Sequence, residues 1–139
     1  MKNTFYAFLI ASLLINCRSE STEESSSTET ETSTQSSSTL VKMNVLNSQN
    51  MAQKDIVVMM FKSKITSVNN LPTIEKQATS DISGLATLDL SSYITSNIAT
   101  TYYFEAFKKD GNNYIWVSKT HPEISIKKGQ QTTTSIVVN

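Results

Sequence analysis

Ile56-Val57-Val58-Met59-Met60-Phe61 is an unbroken run of six apolar residues. A half-exposed strand alternates apolar and polar side chains. A run without alternation marks a strand that is central, or covered on both faces. Six residues are also too few for a confident helix. The flanks agree with a β reading. Upstream, Leu40-Val41-Lys42-Met43-Asn44-Val45-Leu46 mixes apolar and polar positions, and Asn47-Ser48-Gln49-Asn50 reads as a turn. Downstream, Asp81-Ile82-Ser83-Gly84 turns into Leu85-Ala86-Thr87-Leu88-Asp89-Leu90, which mostly alternates.

The second half of the chain continues in this manner. Thr100 to Phe107 is rich in Thr, Tyr and Phe, and Lys108-Lys109-Asp110-Gly111-Asn112-Asn113 forms a hairpin loop into Tyr114-Ile115-Trp116-Val117. Ile124 and Ile126 alternate ahead of a turn at Lys127-Lys128-Gly129, and Thr132 to Val138 is β-branched except for Ser135. The spacing predicts an all-β domain: a single antiparallel Greek-key β-sandwich of about seven strands over Leu40–Asn139. Lys64 to Lys76 and Ser91 to Ile98 have no clear period, and a helical turn is open at either. A chain of that length buries enough surface for a core without disulfides.

Ahead of this domain the composition changes twice. Of the 21 residues from Ser19 to Thr39, 15 are Ser or Thr and the others are Glu20, Glu23, Glu24, Glu29, Glu31 and Gln35. With no apolar group to bury, nothing offsets the entropy of ordering, so residues 17–39 are expected to form a disordered tether. About 22 residues of flexible chain span roughly 25 Å on average and at most about 75 Å when stretched. Before the tether, Met1-Lys2 is followed by an almost wholly apolar run, Phe5 to Ile15, that ends Leu14-Ile15-Asn16-Cys17. This is the layout of a secretory signal over residues 1–16 whose cleavage leaves Cys17, the chain's one cysteine, as the first mature residue.

Leu14-Ile15-Asn16-Cys17 resembles the lipobox of bacterial lipoproteins, with Asn16 standing where Gly, Ala or Ser is preferred. Boxes of this looser kind resemble those of Bacteroidetes lipoproteins. The resemblance implies acylation of Cys17, and several acyl chains make anchoring effectively permanent where one holds only marginally. An ordinary cleaved signal and an uncleaved anchor are the competing readings. The second is short: roughly 11 apolar residues stand against the roughly 20 that span a bilayer. Glu20, Glu23 and Glu24 resemble the acidic signal that sends some of these lipoproteins to the cell surface. The plainer reading is a linker kept soluble and extended by its charge. The expected location is the outer membrane, lipid-anchored, at the cell surface or otherwise facing the periplasm. The tether's hydroxyls can also carry glycans, as in other Ser/Thr-rich stalks.

The domain resembles a second group. Ser80-Asp81-Ile82-Ser83-Gly84-Leu85-Ala86-Thr87-Leu88, Thr101-Tyr102-Tyr103-Phe104-Glu105-Ala106 and Lys127-Lys128-Gly129-Gln130 with its Thr-rich ending resemble steps of bacterial transthyretin-like (prealbumin-like) sandwich domains. The glycine usual before Tyr102 is absent. Related domains of Gram-positive adhesins carry a Lys–Asn isopeptide bond assisted by a Glu, for which Lys42, Glu105 and Asn139 are the matching residue types. Strand parity opposes it, because Tyr102, Phe104 and Ala106 share one face and Glu105 takes the other.

Composition narrows the chemistry. The tether from Arg18 to Thr39 has one base and five acids, while Leu40–Asn139 has ten lysines, seven acids and no arginine. Scattered lysines without guanidinium groups do not make a nucleic-acid site. With no cysteine in the domain and His121 as its one histidine, a zinc site of nitrogen and sulfur ligands is not available. Asp110-Gly111-Asn112-Asn113 lacks the ligand spacing of a calcium loop. His121 precedes Pro122 in a loop, and no serine has the surroundings of a nucleophile elbow. No catalytic, cofactor or metal residues are expected. The expected role is a non-catalytic binding or scaffolding module, with a glycan-binding module or an accessory subunit of an envelope complex as alternatives. Its partners would be the membrane through Cys17 and an envelope protein or glycan. Tyr103, Tyr114 and Trp116 are the candidate binding surface, unless loops or the 64–76 segment cover them.

Overall fold

The structure, a computed structural model, describes residues 38–139. The signal segment, Cys17 and nearly all of the tether lie outside the described residues. Eight strands follow in order: β1 (Leu40–Asn47), β2 (Ile56–Phe61), β3 (Lys76–Thr79), β4 (Leu85–Asp89), β5 (Thr100–Asp110), β6 (Asn113–Trp116), β7 (Glu123–Ile126) and β8 (Gln131–Val138). They form a three-stranded sheet ordered β4-β1-β8 and a five-stranded sheet ordered β3-β2-β5-β6, with β7 also paired to β5. The expectation of an all-β sandwich holds.

All six side chains of β2 are buried, and the pairing shows why its sequence does not alternate. Ile56, Val58 and Met60 face the space between the sheets, together with Val41, Met43 and Val45 of β1, Leu88 of β4, Phe104 of β5 and Ile136 of β8. Val57, Met59 and Phe61 point outward into a second cluster with Ile65, Phe107 and, at its margin, Leu71 and Trp116. The chain from Lys62 to Glu75 thus covers the outer face of β2. It contains no helical turn, and leads into β3, a short edge strand that its sequence, Lys76-Gln77-Ala78-Thr79, does not announce. Ser91 to Ile98 forms no full helix but opens on a single helical turn. That turn is closed by the Tyr93 and Ile94 amides donating to the Leu90 carbonyl.

The wholly antiparallel expectation needs correction, because β1 and β8 pair in parallel from Leu40↔Gln131 to Asn47↔Val138. The cause lies on the far edge of β5. Both β6 and β7 run antiparallel to β5, at Phe107–Asp110 and Thr100–Tyr103 respectively. They are two pieces of one interrupted strand, so no reversal separates them. The direction count slips by one, and β8 arrives pointing the same way as β1.

The fold also begins earlier than the composition suggests. Thr39, counted with the tether, is 1% exposed. Its Oγ1 accepts from the Gly129 amide, its amide donates to Ser91 Oγ, and its carbonyl accepts from the Leu90 amide. Hydrogen bonding outweighs composition here, since a buried backbone must be satisfied locally.

Candidate functional site

The interruption between β6 and β7 builds the site. Residues 118–121 leave the edge of β5, after the Val117 amide has donated to the Ala106 carbonyl, and Ser118 Oγ takes the place of a strand partner by accepting from the Ala106 amide at 2.6 Å. The departing segment is pinned to the other sheet by a bridge between Ser118 and Val138 and by the Lys119 amide on the Val137 carbonyl. It returns at Pro122, whose carbonyl accepts from the Phe104 amide. His121 is thereby set above the outer face of β5, at the level of Glu105.

Glu105 is 4% exposed, opposite Met59 on β2. A carboxylate so placed requires donors, because an unpaired buried charge is strongly unfavourable. Trp116 Nε1 donates to Oε2 at 2.8 Å, and His121 Nδ1 lies 2.9 Å from each carboxylate oxygen. An ionised carboxylate only accepts, so Nδ1 carries its proton and Nε2 is left for other contacts. The His121 and Trp116 rings sit 5.6 Å apart. Sequence reading gives the face of Glu105 but not these partners. An acid embedded in Tyr-Tyr-Phe-Glu-Ala-Phe is itself the signal that a donor must meet it.

Tyr103 and Glu123 are direct cross-strand partners on the same outer face. Lys64, from the covering segment, closes the group. Its Nζ is 2.5 Å from Glu123 Oε1 and 5.7 Å from the centre of the Tyr103 ring. The Glu123 carboxylate, by hydrogen bond and then by charge, raises the Lys64 pKa above its ordinary value. Lys64, Ile65, Tyr103, Glu105, Trp116, His121, Pro122 and Glu123 enclose a cavity of about 320 Å³. A wider cleft of about 460 Å³ lies elsewhere, between the starts of β2 and the ends of β3 and β5, with Lys54, Asp55, Lys108 and Lys109 on its rim.

Of the three aromatic candidates, the cavity joins Tyr103 and Trp116 but leaves out Tyr114. Tyr114 is opposite Lys109, toward the hairpin tip, and meets Phe107 edge-on with centroids 6.4 Å apart. Covering by the 64–76 segment applies fully to Phe107, which is buried, and partly to Trp116. Lys42 and Glu105 lie on opposite outer faces of the sandwich: β1 buries Val41 and Met43 on either side of Lys42, and β5 buries Phe104 and Ala106 in the same core. The lysine of such an isopeptide bond and the acid that would assist it therefore face away from each other.

No protein-family model matches this chain, and no curated protein does. Among solved structures, the chain has a likeness to one described as the Bacillus anthracis TIE protein. The two are 14% identical with a TM-score of 0.39, over 73% of this chain and 16% of that one. The fold assignment rests on the strand pairings of the chain itself.

Proposed function

We propose that this chain is a lipid-anchored envelope protein whose β-sandwich is a non-catalytic binding or scaffolding module at the bacterial outer membrane. The observation that carries the reading is the apolar run Phe5–Ile15 closing on Leu14-Ile15-Asn16-Cys17, followed at once by a Ser/Thr/Glu tether. In this reading Cys17 bears the acyl chains, the tether lifts the sandwich off the bilayer, and Glu20, Glu23 and Glu24 direct it to the cell surface. The transthyretin-like resemblance belongs to the same proposal. The use of Glu105 supports a binding rather than a catalytic site, since its oxygens are engaged in holding Trp116 and His121.

Fractionation of cells labelled with a fatty-acid analogue tests the anchor. The wild-type chain should carry label and sediment with the outer membrane, and Cys17→Ser should be unlabelled and released or unprocessed. A Cys17→Ser chain that stays labelled and membrane-bound would reject the proposal. Protease added to intact cells should remove the sandwich if the glutamates act as a surface signal. Protection until the outer membrane is opened would place it on the periplasmic side.

A further inference from the structure

We propose that the cavity between Lys64, Tyr103, Glu105, Trp116, His121 and Glu123 is a saccharide site that takes a neutral sugar ring. The inference rests on the reading of the sandwich as a binding module and names its ligand class.

Each charged group of the cavity already has a partner inside it. Glu123 is paired with Lys64, and Glu105 accepts from Trp116 and His121. A cationic ligand would find the place over Tyr103 and beside Glu123 taken by the Lys64 ammonium. An anionic ligand would meet two carboxylates against one lysine, and like charge in a confined space is repelled. A neutral ligand meets neither penalty.

What the walls offer such a ligand is a mixture of donors and acceptors around aromatic rings. Lys64 and the Tyr103 hydroxyl donate, Glu123 accepts, and His121 Nε2 faces away from Glu105 on a side chain that is half exposed. Tyr103, Trp116, Ile65 and Pro122 supply apolar surface. A sugar ring has this same division, with hydroxyls at its edge and C–H groups on its faces. A volume of about 320 Å³ is at the lower end of small-ligand sites. It suits one ring, with the rest of a glycan outside. The site is also preorganised, because Glu105 fixes both Trp116 and His121 before any ligand arrives, which reduces the entropy lost on binding.

The chain's single tryptophan lines this cavity, so its fluorescence reports occupancy directly. The whole chain, held in detergent, is titrated with glucose, galactose, mannose and N-acetylglucosamine and with their short oligomers. Expected is a saturable change in Trp116 emission with at least one of these. Tyr103→Ala and Glu123→Gln should each weaken it by about tenfold or more, and Tyr114→Ala should leave it unchanged. Glu123 is 45% exposed at its side chain, so its substitution keeps the test open if Tyr103→Ala perturbs folding. Saturation by methylamine or by inorganic phosphate, with none by sugars, would overturn the proposal in favour of a charged ligand. Silence toward every sugar in the series would also overturn it. Binding that survives in Cys17→Ser separates this site from the anchor: loss of membrane attachment leaves the sugar response intact, and loss of the sugar response leaves attachment intact.

Discussion

Gly84 and Gly111 both have positive φ, at 77° and 59°, yet they are under different constraints. A Cβ on Gly84 would lie 2.8 Å from the Val45 carbonyl oxygen and 3.0 Å from Ala52 Cβ, whereas one on Gly111 meets nothing within 4 Å. The close approach is functional for the fold, because the Gly84 carbonyl accepts from the Val45 amide. Gly84→Ala is expected to cost about 2–4 kcal/mol from left-handed strain and displaced backbone, and Gly111→Ala only about 1 kcal/mol. Denaturant midpoints of the two variants, measured side by side, check the order. Glu105 gives a second prediction at this scale. Glu105→Ala leaves Trp116 Nε1 and His121 Nδ1 without their acceptor and should cost about 1–3 kcal/mol. Glu105→Gln keeps an oxygen for Trp116 and should cost less. Equal losses for the two would mean that the second acceptor oxygen and its charge, not the bond kept to Trp116 or the side-chain volume, carry the contribution of Glu105.

At the scale of elements, the turn between β3 and β4 is held by a carboxylate. Asp81 Oδ1 accepts from the Ser83 amide, the Ser83 hydroxyl and the Leu85 amide at 2.6–3.0 Å. The Ser83 hydroxyl and the Leu85 amide hold the Asp81 pKa below its ordinary 3.8. A lowered carboxylate pKa in the folded chain gives stability that is present above the unfolded value and lost as pH falls through the folded one. Acid should therefore loosen this turn below about pH 4. Asp81→Asn should lower stability at neutral pH and flatten that part of the acid limb, as read by melting temperature against pH. The start of β1 supplies another element-scale test. A chain shortened to begin at Leu40 loses the three hydrogen bonds of Thr39 and should be less stable by about 2 kcal/mol. One that begins at Ser38 should melt with the full chain. Identical melting of the two would show that Thr39 is incidental to the fold.

At the scale of the whole fold, the described residues form two apolar layers: the core between the sheets, and a smaller one between the five-stranded sheet and the Lys62–Glu75 segment. Each fully buried large side chain contributes about 1.5–3 kcal/mol relative to its exposed state, so the inner core alone can hold the sandwich without a covalent link. Lys42 and Glu105 on opposite outer faces make the same point geometrically. The intact mass of a purified chain of residues 38–139 should accordingly equal that of its sequence. The loss of one ammonia would reveal a Lys–Asn bond and overturn the facing of these residues.

What the amino acids determined by themselves was local and periodic. The buried β2 could be read because six apolar residues in a row have no polar face to offer water. The opposite facing of Glu105 and Tyr102 could be read because strand side chains alternate with period two. The sandwich class followed from turn signals at regular spacing. The tertiary structure alone decided what depends on partners distant in sequence. β3 is a strand because β2 offers it an edge, since Lys76-Gln77-Ala78-Thr79 has little β preference of its own. β1 and β8 are parallel because β6 and β7 share one edge of β5 and skip a reversal. Thr39 is part of the fold because Ser91, Leu90 and Gly129 reach it. The meeting of Glu105, Trp116 and His121 depends on a bulge that no residue type announces. It forms because a buried carboxylate must find its donors wherever the chain brings them.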